Sequence, residues 1–135
     1  MKSVGGSAAE MVREFHRAAG AYVSDEPTLD VPREVRDLRL RLISEELDEL
    51  RSALESDDLA GSADAIADLL YVVYGAAVTF GIPIDEVFAE VHRANLAKLD
   101  LRGGPVERDD GKVLKPDRWK PPDIEGVLRA HRKHR

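Results

Sequence analysis

Between residues 62 and 80 the chain offers water almost no polar face. Ile66, Leu69, Leu70, Tyr71, Val72, Val73, Tyr74, Ala76 and Ala77 cover nearly the whole circumference of a helix. A helix that is apolar all round has to be surrounded, so this segment predicts the central, buried helix of an all-α bundle. Gly81 follows as a helix stop, and Pro83 as a residue that cannot continue the helix. Two residues interrupt the apolar surface. Asp64 and Asp68 lie one turn apart, on a face they share with Val72 and Gly75.

The remaining segments supply the neighbours. Ser7 followed by Glu10 reads as a capping box, and Met11, Phe15, Ala18, Ala19 and Tyr22 recur at helical spacing. This first helix should end between residues 20 and 24. Pro32 suits the first turn of a second helix over residues 32–55. Gly61 reads as the break before the third helix. A fourth helix begins near residues 83–85, carries Val87, Phe88, Val91, Ala94 and Leu96, and ends between residues 99 and 102. "GGPVERDDGKVLKPDRWKPPD" has little helical period and reads as an extended loop or short hairpin, and "DIEGVLRAH" as a short closing helix. No strand-rich stretch or internal repeat interrupts this pattern. The expectation is one domain over residues 1–135, a four- to five-helix bundle with loose ends at 1–6 and 131–135.

The second helix carries two apolar stripes. Val35, Leu38 and Leu42 form one; Leu40, Ile43, Leu47, Leu50 and Leu54 form the other, beside it. So wide a surface needs cover on two sides. The bundle supplies one side, and a second copy of the chain the other. A homodimer, or a tetramer, is therefore expected to complete the core.

Glu45, Glu46 and Glu49 project from that helix within roughly 100° of arc, an arc that also holds Leu42. Packed antiparallel, the second and third helices would bring these acids to Asp64 and Asp68. Gathered carboxylates repel and raise one another's pKa. Arg41 and Arg51 lie on the other flank, and the third helix has no Lys or Arg. A divalent cation would relieve the repulsion, and Mg²⁺ favours oxygen ligands of this kind. A di-iron bundle would need Glu-x-x-His on two helices. His16 is preceded at that spacing by Arg13 and His92 by Ala89, so an oxygen-only Mg²⁺ or Mn²⁺ site fits better.

Composition narrows the classes further. With no cysteine there is no disulfide and no thiolate metal site. The net charge of −6 argues against nucleic acid as a partner. The N-terminus has no long apolar leader, and no run is expected to reach membrane-spanning length. These features together predict a cytoplasmic protein with no membrane partner. The basic tail "RAHRKHR" reads as a solvated end, with a phosphate-steering tail as the alternative.

The sequence resembles the all-α nucleoside triphosphate pyrophosphohydrolases: the MazG-like group, related to dimeric dUTPases and phosphoribosyl-ATP pyrophosphohydrolases. "EELDE" matches the first half of the family pattern, Glu-Glu-x-x-Glu, at Glu45, Glu46 and Glu49. Asp68, followed by "LLYVVYG", matches the end of the second half, Glu-x-x-Asp. "EFHRA", "VFAEVHRANLAK" and "DGKVLKPDRWKPPD" follow the relatives in order. The resemblance implies that Glu46, Glu49 and Asp68 hold Mg²⁺ and that Glu45 orients or deprotonates the attacking water. It also implies that Asn95 and Lys98 touch substrate and that the loop with Lys112 and Lys115 closes over it. Trp119 is a candidate to pack the C-terminal loop or to cover the base, and Tyr71 lies beside the site. His16 and His92 read as structural. The family glutamate before Asp68 would fall at Ala65, which leaves Asp64 as the nearest acid to serve as a fourth ligand. The implied reaction is Mg²⁺-dependent hydrolysis of a nucleoside triphosphate to monophosphate and pyrophosphate, as house-cleaning of dUTP or another non-canonical nucleotide. Hydrolysis of phosphoribosyl-ATP and a nucleotide-binding module of weak activity are the alternatives.

Overall fold

A computed structural model describes residues 6–100 and 119–132. These residues form five helices: α1 (Ala8–Ala19), α2 (Arg33–Glu55), α3 (Leu59–Thr79), α4 (Ile84–Asp100) and α5 (Ile124–Ala130). The described residues contain no strand, and the fold is all-α. The loop segment with Lys112 and Lys115, expected to be extended, lies outside the described residues.

The chain divides into two compact units at Ile84. In the first, α3 packs against both α2 and α1. Val12, Ala65, Ala77 and Val78 are its buried apolar residues. The local chemistry explains the helix ends. Ser7 accepts from the Glu10 amide at 3.2 Å and starts α1. Gly20, at φ 73°, ends it. Pro32 stands at the N-cap of α2 rather than inside it. At the end of α3, Gly81 (φ 64°) donates to Val78 O and Ile82 donates to Ala77 O, the paired bonds of a Schellman motif. The segment after α1 then runs past this end. Ser24 N donates to Val78 O and Thr28 N to Phe80 O, which satisfies carbonyls the helix leaves open.

Three expectations need correction. Gly61 does not break the chain. It lies in the first turn of α3, where Asp58 caps the helix by accepting from the Gly61 amide at 2.9 Å. The break falls at Asp57, a non-glycine residue with φ 54°. Nor is α3 buried all round within one chain: Ile66, Leu70, Tyr71 and Val73 are exposed, alongside Leu40, Leu47 and Leu54 of α2. Finally, α3 is long and apolar enough to cross a membrane by length and composition, a test that core helices also pass.

In the second unit, Asp123 caps α5 by accepting from the Gly126 amide at 3.0 Å. The Asp123 amide in turn donates to Glu90 of α4 at 3.1 Å, which ties the start of α5 to that helix. Arg93 holds Glu90 from one turn away at 2.8 Å. Its hydrogen bonds, with that of the Asp123 amide, keep the Glu90 carboxyl below the usual carboxylate range. His131 pairs with Glu86 across the same two helices.

Candidate active site

The acids of α2 and α3 meet in the antiparallel pairing of these helices. Glu46 is half-buried; Glu45, Glu49, Asp64 and Asp68 are exposed, so the carboxylates border an open cleft rather than sit in the core. Partial desolvation pushes the Glu46 carboxyl above its ordinary range. Repulsion from Asp68, Glu49, Glu45 and Asp64 pushes the same way. One side chain thus feels all four of the other acids.

Beside it opens a cleft of about 270 Å³ that runs toward the α2–α3 turn. Glu49, Asp58, Asp64 and Asp68 supply its acids, and Ser52 and Ser56 add hydroxyls one turn apart. Ala65 is 5% exposed and belongs to the same lining. The position that carries glutamate in the resembling sequences is therefore a small buried residue here, while Asp64 lines the cleft from an exposed position. The donor set consists of hard oxygens and suits Mg²⁺ or Mn²⁺ in kind. Among the described residues, no three acids or histidines are gathered closely enough to share one ion as their side chains stand. Closing a ligand set would take rotamer changes in exposed side chains, which are fast and inexpensive.

The second unit gathers Asn95, Lys98 and Trp119. Lys98 Nζ donates to Asn95 Oδ1 at 3.1 Å and lies 5.0 Å from the centre of the Trp119 ring. The Trp119 indole N–H donates to Ala94 O at 2.6 Å. Trp119 is thereby docked on α4. Tyr71 meets Phe15 of α1 edge to face at 5.8 Å. Lys112 and Lys115 lie outside the described residues.

His16 lies inside the first unit. It is 4% exposed, its Nδ1 lies 3.1 Å from Tyr22 O, and its Nε2 lies 3.4 Å from Arg39 Nη1. Sequence reasoning passed over Arg39, Ser52 and Ser56. A cation on the apolar side of α2, between Leu38 and Leu42, was the available signal for Arg39.

A family model for phosphoribosyl-ATP pyrophosphohydrolases matches residues 12–95, a span that includes all five carboxylates. The helical fold and this match define a protein of the pyrophosphohydrolase class. The chain belongs to the phosphoribosyl-ATP pyrophosphohydrolase family, which is grouped with the MazG-like nucleoside triphosphate pyrophosphatases. It is also 35% identical over 99 residues to uncharacterized protein L479 of Acanthamoeba polyphaga mimivirus. That match covers 71% of this chain and 37% of the viral protein, so the chain spans little more than a third of that relative.

Proposed function

We propose that the chain hydrolyses a nucleoside triphosphate between the α- and β-phosphates, with a divalent cation held by Glu46, Glu49, Asp64 and Asp68. The observation that carries this reading is the placement of five carboxylates on the packed faces of α2 and α3, where Glu49, Asp64 and Asp68 line one cleft and Glu46 is repelled by the other four acids. Such a cluster is costly alone and useful when it has a cation to hold. Mg²⁺ or Mn²⁺, when bound, neutralises phosphate charge and polarises water. Glu45 orients the attacking water and takes its proton. The water oxygen bonds to the α-phosphorus, the bond from that phosphorus to the bridging oxygen breaks, and pyrophosphate leaves with the electron pair. By the resemblance, Asn95, Lys98, Lys112 and Lys115 are the candidates to bind phosphate oxygens. House-cleaning of dUTP or another non-canonical nucleotide in the cytoplasm is the role we favour.

A second reading has its own support. The matched family carries the name of phosphoribosyl-ATP hydrolysis, so that compound belongs in the substrate set.

The working form is a homodimer, on this reading. Leu40, Leu47 and Leu54 recur every seven residues on α2 and are 65%, 44% and 56% exposed. An exposed stripe of that regularity marks an association surface.

The test is a panel of ordinary and damaged nucleoside triphosphates plus phosphoribosyl-ATP, with Mg²⁺ or Mn²⁺, for wild type beside Glu46→Gln. Pyrophosphate from wild type alone supports the reading, and the best substrate selects between the two roles. Nucleotide binding without any turnover would replace it with a binding module.

A further inference from the structure

Arg39 is an expensive residue in its place. Its guanidinium enters the space between α1 and α3, where burial lowers its pKa. Its Nε is buried with no hydrogen-bond partner. The partner its Nη1 does find is a neutral imidazole, His16 Nε2 at 3.4 Å. A half-buried cation with one buried nitrogen left unpaired is a poor way to stabilise a fold. It does specify geometry, because few arrangements satisfy it at all.

The third member is Gly75. A Cβ built there would lie 2.7 Å from Arg39 Nη1 and 3.1 Å from His16 Nε2. The missing side chain is the space the guanidinium uses. Behind the ring, the Tyr22 carbonyl accepts from His16 Nδ1 at 3.1 Å and from Thr79 Oγ1 at 3.3 Å. Thr79 is 1% exposed, so the imidazole is braced against the C-terminal end of α3.

The same contacts have a register. Arg39 of α2 meets Gly75 of α3. Seven residues further along α2 stands Glu46, and seven residues back along α3 stands Asp68, the acid that repels it most strongly. Seven more residues each way reach Ala53 and Gly61, which both line the cleft. Residues seven apart on a helix point within about 20° of each other. One antiparallel alignment therefore joins the Arg39–Gly75 contact, the Glu46–Asp68 pair and the cleft. It also sets Glu49 opposite Ala65.

We infer that Arg39, His16 and Gly75 form a register lock, in which Arg39 and His16 act as positioning residues that set how the acids of α2 meet those of α3. The inference rests on the reading of those acids as the working site. A slip of one residue along either helix would turn side chains by about 100° and part the carboxylates. The lock lies roughly 10 Å along α2 from Glu46, so it acts on the site without touching substrate.

The experiment compares wild type, His16→Leu and His16→Gln by amide NMR and by Mn²⁺ titration. Glutamine keeps an acceptor for Arg39; leucine fills the space without one. With His16→Leu, amide signals should move at residues 45–49 and 64–68 as well as near 16, 39 and 75. Its Mn²⁺ affinity should fall about tenfold, and His16→Gln should restore both within about threefold. If His16→Leu does not fold, Gly75→Ala, which displaces the guanidinium, takes its place in the same measurements. Amide changes confined to the neighbourhood of residues 16, 39 and 75 overturn the lock. Wild type that binds no Mn²⁺ overturns the cation reading instead, and the amide shifts still decide whether the lock holds.

Discussion

Glu46 on α2 and Asp68 on α3 stand close enough to repel across the helix pair. Partial desolvation and then that repulsion hold the Glu46 carboxyl above its ordinary range. A carboxyl raised in the folded state favours folding while it is protonated. That contribution is present below the unfolded value and is lost as pH rises through the folded one. At neutral pH Glu46 is therefore a liability to the metal-free fold. Glu46→Gln should raise the melting temperature in EDTA at pH 7, and the gain should vanish near about pH 4. The same variant should lose pyrophosphate release by on the order of a hundredfold or more. Equal melting temperatures at neutral pH would show that the repulsion is relaxed in solution.

His16 titrates in the opposite sense. Burial lowers its pKa. The hydrogen bond to the Tyr22 carbonyl opposes that shift, and the Arg39 charge adds to it. A histidine held neutral contributes stability above its unfolded value of about 6.5, and this is lost as pH falls through the folded value. The urea midpoint of wild type should drop in that acid window. His16→Gln should flatten the drop, leaving the acid loss of the carboxylates alone.

Two glycines separate backbone strain from steric clash. Gly20 and Gly81 both have positive φ. A Cβ at Gly20 meets nothing within 4 Å, whereas at Gly81 it would run into the Glu26 carbonyl. Gly20→Ala should cost about 1 kcal/mol, the strain alone. Gly81→Ala should cost at least about 2 kcal/mol, because the 21–30 segment must also move. Chemical denaturation of both variants checks the difference.

The exposed leucines of α2 predict an oligomer that one charge can break. Leu47→Glu should convert a dimer to monomer in sedimentation at micromolar concentration, with helix content kept. A wild type that already sediments as a compact monomer would remove the association surface from the proposal.

Much of this was legible in the sequence, for physical reasons that differ by residue. The helices follow from periodicity and caps, and Gly81 performs the stop that its position beside Pro83 announced. The meeting of the acids followed from 100° steps alone, because Glu46 and Asp68 sit on long regular helices. Gly61 misled because a glycine can serve inside a helix as well as end one. Here the Asp58 carboxylate occupies the space where a Cβ would stand. The burial of α3 was overstated because periodicity reports which face is apolar and not what covers it. Arg39 and Gly75 were illegible as a pair, since the contact joins residues 36 positions apart in the chain.

The apolar sweep of α3 also bears on how the protein is made. Asp64 and Asp68 are the only charged residues in Leu59–Thr79, a helix otherwise suited to lipid. An aspartate at the middle of such a segment costs about 2.5–3.5 kcal/mol in membrane insertion. Asp68 occupies nearly that middle position. The two charges therefore raise the free energy of placing this helix in a bilayer, at any stage of synthesis. An uncharged residue at position 68 should lower that barrier whatever it does to the acid cluster, so the same side chain bears on the solvent the helix prefers.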